Sequence, residues 1–175
     1  MADPEVYAEA LEQAVVSLLR TNLAGIITTN NAASTAQAPT PADIHIQAVD
    51  DNNQPPQART SIRLTVDNSV DFDPSLGGSV GRTSHSLVIW LWHTGGVKHS
   101  GEQGVKQGTR RQLALLTRAV QIAVERHLRG TAGVYNYRQV ANRRYSVPIT
   151  GSQVAQLREL RYSVLQESYS AWGTS

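Results

Sequence analysis

The sequence predicts an α+β domain: an antiparallel or mixed sheet packed by two amphipathic helices, with long loops between them. Three observations predict it. Apolar residues recur at helical spacing in two stretches, near residues 4–25 and 109–130. Strict alternation marks 42–49, 60–67 and 159–167 as strands with one inward face. Between the two helices, Ser86–His93 is apolar on both faces, with Leu87, Ile89 and Leu91 on one and Val88, Trp90 and Trp92 on the other. A strand of that kind is either central in its sheet or covered by another subunit.

The elements follow in order. Asp3-Pro4-Glu5 is a helix start: an N-cap acid, a proline at the first helical position and a second acid on the positive dipole end. Tyr7, Leu11, Ala14 or Val15, Leu18 and Leu19 then recur at helical spacing. Gly25 predicts a stop after about six turns. The uncharged stretch that follows predicts a loop over 26–41. Ala42–Val49 sets Ile44, Ile46 and Ala48 on one side, and Thr60–Asp67 sets Ile62, Leu64 and Val66 inward. These two runs, joined by a polar turn at 50–58, read as one-sided antiparallel strands.

A second loop is expected over 68–83, with Asp71, Asp73, Pro74 and three glycines, and a third, glycine-rich, over 94–108. Thr109-x-x-Gln112 is a capping box and opens the second helix. Its stripe runs through Leu113, Leu116, Val120, Ala123 and His127, widened by Leu115, Ala119 and Ile122, and Gly130 ends it. The rest reads as strands: Val134–Val140, a short Arg143–Ile149 segment broken by Pro148, and Glu159–Glu167 with Leu160, Tyr162 and Val164 alternating. The 175 residues carry no internal repeat and predict a single domain, 1–175. Connections this long are uncommon in a compact domain, and partners that order them are the favoured explanation.

Charge divides the chain in two. Residues 1–75 hold Arg20, Arg59 and Arg63 against ten acids, a net of −7. Residues 76–175 hold thirteen Lys and Arg against four acids, a net of +9, and the two sum to the overall +2. Such a chain suits head-to-tail self-association or a basic face meeting an acidic partner, unless the fold mixes the halves on one surface. Basic charge is almost all arginine, whose planar fork favours fixed contacts with carboxylate or phosphate. With no cysteine, the chain has no disulfide, thiolate metal site or cysteine nucleophile. The acidic, amphipathic beginning does not read as a signal peptide, and the longest apolar run, Leu87–Trp92, is far short of a membrane span. The expectation is a soluble intracellular protein.

Chemistry is thinly represented. His93, His99 and Glu102 match no zinc or general-base spacing, and His45 and His85 bear no fixed relation to them. The glycine-rich stretch before the second helix lacks the Gly-Lys-Ser/Thr of a phosphate loop and the glycine spacing of a dinucleotide fingerprint. What remains is a local anion site formed by Lys106, Arg110 and Arg111 at that helix start, with Lys98 in the loop before it. No nucleophile elbow occurs, so an enzyme is not expected, and no metal or cofactor is implied. Arg138, Arg143, Arg144, Arg158 and Arg161 interleave with Tyr135, Tyr137, Tyr145 and Tyr162. That composition fits a protein–protein hot spot, a nucleic-acid surface or the outer face of an ordinary sheet. Trp172 suggests a tail that docks on a neighbour.

In its element order the chain resembles bacteriophage tail terminator (tail-completion) proteins. The matching parts are Val6–Leu23, Ala42–Val49, Leu87–Trp92, Leu113–Leu128, Val134–Val140 (VYNYRQV) and Leu157–Leu165 (LRELRYSVL). The strand Thr60–Asp67 and the loops 26–41 and 68–83 depart from the smallest members. The resemblance implies a virion structural protein of the tail and neck, assembled in the host cytoplasm. It would form a hexameric ring that caps the tail tube, ends its polymerisation and meets the head connector or stopper protein, with DNA passing through the lumen. Lys98, Lys106, Arg110, Arg111, Arg138, Arg143, Arg144 and Trp172 are the expected assembly contacts. A head–tail connector of the neck and a nucleic-acid-binding module are the alternatives.

Overall fold

The first helix does not stop at Gly25. In the computed structural model, which describes residues 4–33, 38–49, 59–72, 80–94, 102–148 and 154–169, α1 runs from Pro4 to Ala32. Gly25 is exposed, and beyond it Ile27 is fully buried while Ile26 packs against the core. A helical glycine costs about 1 kcal/mol, whereas burying an isoleucine contributes about 1.5–3 kcal/mol, so the helix continues. Leu11, Val15, Val16, Leu18, Leu19, Leu23 and Ile27 form its buried stripe. The second helix, α2 (Glu102–His127), likewise begins earlier than the capping box. It takes in Gly104 and Gly108, so the expected loop 94–108 is helix from Glu102 onward. Its core stripe includes Leu113, Leu116, Val120, Ala123 and Val124, whereas His127, expected inside, is exposed and Leu128 is buried instead.

The strands are β1 (Ile44–Ala48), β2 (Thr60–Phe72), β3 (Val80–Thr94), β4 (Val134–Pro148) and β5 (Val154–Tyr169). They form one mixed sheet in the order β1-β2-β3-β5-β4, so β3 is central and β5 inserts between β3 and β4. The helices pack on the face carrying Ile46, Ile62, Leu64, Leu87, Ile89, Leu91, Leu160, Tyr162 and Val164, all in one core with both helical stripes. The α+β class and the inward residues of these strands are as expected.

Two expectations need correction. β1 and β2 are parallel, with Ile44 beside Thr60 and Ala48 beside Leu64. The connection between them is long enough to bring the chain back to the starting end. Val134–Val140 and Arg143–Ile149 are one strand, not two, kinked by irregularities between Val134 and Asn136 and between Gln139 and Ala141. Each shift absorbs a residue and keeps the pairing with β5 in step beyond it. β2 and β3 also reach further than the alternation indicated, leaving only 73–79 of the expected 68–83 loop between them.

The corner from α2 into β4 is built from left-handed backbone at Gly130 (φ 84°), Ala132 (φ 48°) and Gly133 (φ 77°). Gly130 ends the helical region as expected, and its N–H donates to the Val134 carbonyl at 2.7 Å. The Gln166 side chain locks this corner to the sheet: its amide donates to the Ala132 carbonyl at 2.6 Å, and its oxygen lies 2.8 Å from His85 Nε2. No described helix is long and apolar enough to cross a membrane.

His93 joins three elements. Its Nε2 lies 2.8 Å from Gln112 Oε1 on α2, and its Nδ1 lies 2.9 Å from the Thr60 hydroxyl on β2. With the Gln112 oxygen as acceptor, Nε2 carries the proton and Nδ1 accepts from Thr60, so the ring is neutral. Burial pushes its pKa below the usual histidine value; the Gln112 bond opposes this and the Arg59 charge adds to it. The unfolded chain therefore binds this proton more readily than the folded one. The stability held by neutral His93 is complete above about pH 6.5 and falls as the pH drops through 6.5 toward the lowered folded value. Melting temperature followed from pH 7.5 down to 5 is expected to decline over that window, and His93→Gln is expected to flatten this part of the profile.

Candidate assembly interface

Because β3 is central and both helices lie on one side, alternate residues of β2, β3, β5 and β4 share the other side. Strand register fixes what stands beside what. One row crosses the sheet as Ser61, Trp92, Leu157 and Tyr145; the next as Arg63, Trp90, Glu159 and Arg143; a third as Thr65, Val88, Arg161 and Ala141. Val88 is fully buried yet stands outside the core cluster, as a residue of the opposite face must. Trp90, Trp92 and Leu157 are half-buried, and Tyr145 is 39% exposed. The Trp92 indole N–H is shielded from solvent and meets no acceptor among the described residues. The face thus carries an apolar band across three strands, bordered by arginines.

The two-faced strand seen in the sequence is the signal that leads to this band. What the sequence does not reveal is that Leu157 and Tyr145 continue it, because strand order and register bring them there.

β4 is the basic edge of the sheet. Its only described partner is β5, and along it Arg138, Val140, Arg143, Arg144 and Tyr145 are all exposed. Arg144 stands directly opposite Arg158, and Arg158 is held below its ordinary pKa by burial and by the Arg144 charge. Like charges facing across two strands destabilise the pair. Arg158 donates to Asn142 Oδ1 at 3.0 Å, while its Nε is buried without an acceptor among the described residues. An acidic group brought to this edge would relieve that repulsion.

Of the expected contact residues, the fold brings Arg138, Arg143 and Arg144 together on β4. Arg110 and Arg111 are exposed but lie in the third turn of α2, not at its start. Their N–H groups are therefore not the unsatisfied donors of a helix terminus, and the expected anion site at that position is not formed. Gln112, expected to cap the helix, instead holds His93. Lys106 is within α2, with its side chain outside the described residues, and Lys98 and Trp172 lie outside them altogether.

The arginine–tyrosine interleaving is split by the sheet. Tyr137 and Tyr162 face the helices, with rings 6.5 Å apart edge to face, and the Tyr137 hydroxyl donates to the Glu125 carbonyl. Tyr135 lies under the Arg82 guanidinium, 5.9 Å from it. Only Tyr145 of the four is exposed beside the edge arginines, and its hydroxyl donates to Glu159 Oε2 at 3.5 Å, so the described residues present no ladder of rings for bases to stack on. His93 is committed to Thr60 and Gln112, and among the described residues no group of three or more His, Asp or Glu side chains could hold a metal ion. No protein-family model matches the chain, and no curated protein matches it significantly.

Proposed function

We propose that this protein is a structural subunit of a phage tail, forming a ring that caps the tail tube, ends tail polymerisation and makes the joint to the head connector. The observation that carries the assembly role is the Trp92–Leu157–Tyr145 band on the helix-free face of the sheet. A half-buried tryptophan and leucine beside an exposed tyrosine, bordered by arginine, are the composition of an interface core and its rim. The order helix, three strands, helix, two strands, which resembles that of tail terminators, supplies the tail. In this reading the protein acts by binding alone and carries no catalytic centre. Neighbouring copies, tube subunits and connector subunits cover its surfaces, and lumenal DNA is a further anionic partner.

Deleting the gene from its genome and imaging the lysate by negative-stain electron microscopy tests the reading. Tails of uncontrolled length, unattached to heads, are expected. Filled heads beside separate tails of normal length would assign the protein to the connector instead. Unchanged particles would reject a structural role.

A further inference from the structure

The sheet order converts the charge asymmetry of the sequence into an asymmetry of the molecule. The acidic half builds α1, β1 and β2; the basic half builds α2, β5 and β4, with β3 between them. The halves therefore do not mix. At one free edge stand exposed Asp43, which leads into β1, and half-buried Asp67, on the part of β2 that extends past β1, with Arg20 of α1 donating to the Ile46 carbonyl of β1 at 2.7 Å as the cation beside them. Exposed Glu9 belongs to the same side, one turn before Glu12, whose carboxylate accepts from the Val66 N–H at 2.7 Å. At the opposite free edge, β4 carries Arg138, Arg143 and Arg144 and no acid at all. Among the described residues the ion pairs Arg82–Glu167, Arg118–Glu125 and Arg161–Glu159 join second-half residues to one another, so they leave this polarity between the edges intact.

We infer that a second copy of this chain is the partner of the β4 edge: Arg138, Arg143 and Arg144 of one copy meet the Glu9, Asp43 and Asp67 side of the next, sheet edge to sheet edge. The contact names the subunit junction of the ring proposed above and rests on that reading. It is heterologous, each copy presenting a basic edge and a different edge on which acids outnumber Arg20, and such contacts generate closed rings or open filaments. Two like edges repel, which excludes the head-to-head pairing that would end growth at a dimer. The acidic edge also supplies what the facing Arg144 and Arg158 lack, a carboxylate to offset their repulsion.

Charge reversal tests the junction by analytical ultracentrifugation. Arg143→Glu/Arg144→Glu gives a copy with two acidic edges, and Glu9→Lys/Asp43→Lys gives one with two basic edges. All four positions are exposed, and circular dichroism establishes that each variant is folded; a Gln pair replaces the Glu pair if it is not. The wild type is expected to self-associate and to do so less in high salt, and each variant alone is expected to associate about a hundredfold more weakly. An equimolar mixture of the two variants is expected to regain the wild-type assembly, because the two kinds alternate and a six-membered ring accepts alternation without mismatch. Wild-type association by folded variants would overturn the junction while leaving the ring standing. Folded variants that stay monomeric when mixed would show that these two edges are not each other's partners. A wild type that is monomeric even at low salt would overturn the ring itself.

Discussion

Tyr162→Ala is expected to lower the unfolding free energy by about 3–5 kcal/mol, the cost of emptying an aromatic site in a packed core. Tyr162 is 2% exposed in the middle of β5, between the sheet and α2, and its ring packs edge to face on Tyr137. Removing it leaves a cavity that neighbouring strands cannot close without breaking register. Tyr162→Phe is expected to behave in the opposite way. The hydroxyl is buried and has no hydrogen-bond partner among the described residues, and burial, with Glu125 and Tyr137 adding, pushes its pKa well above the usual tyrosine range. In the unfolded chain that hydroxyl is hydrated, so folding strips it of water for nothing in return. Phenylalanine avoids the loss, and the change should be neutral or stabilising by about 1 kcal/mol. Urea unfolding of the two variants separates the ring from its hydroxyl. A Phe variant destabilised as much as the Ala variant would mean that the hydroxyl holds a bond the structure lacks.

Gly133→Ala is expected to cost about 2–4 kcal/mol, from left-handed strain plus overpacking. A Cβ built there would lie 2.5 Å from the Glu167 carbonyl oxygen, which is backbone and cannot turn aside. The same change at Gly130 offers the internal control. Its φ is also positive, yet nothing lies within 4 Å of the added Cβ, so only the backbone strain of about 1–2 kcal/mol is expected. Equal losses at the two sites, measured by thermal or urea unfolding, would refute the close approach of the α2–β4 corner to β5.

Much of this fold is visible in the chain. Ile62 and Leu64, Leu87 to Leu91, and Leu160 to Val164 follow a period of two, and a residue's side of a strand depends only on that period. In α1 the helical period of 3.6 places Leu11, Val15, Leu18 and Leu19 on the buried side in the same way. Element ends are less visible. Gly25, Gly104 and Gly108 lie inside helices, and β4 runs unbroken through Ala141 and Asn142. A glycine's penalty of about 1 kcal/mol is outweighed wherever the residues beyond it gain burial, and only the assembled core says whether they do. The expected anion site failed for this reason: with α2 starting at Glu102, Arg110 and Arg111 are no longer at a helix terminus.

The sequence by itself determined the class of the domain, the inward face of most strands, the two-sided character of β3 and the segregation of charge into halves. Those properties reside in period and composition, which need no knowledge of neighbours. Tertiary structure alone decided that β1 runs parallel to β2, that β5 lies between β3 and β4, and hence that Leu157 and Tyr145 extend the tryptophan band while Arg144 faces Arg158. Strand order and register are set by burial summed over the whole core, and many arrangements satisfy the same local alternation. The acidic and basic edges arise the same way: a charge imbalance along the chain becomes a polarity in space only because this sheet keeps the two halves apart.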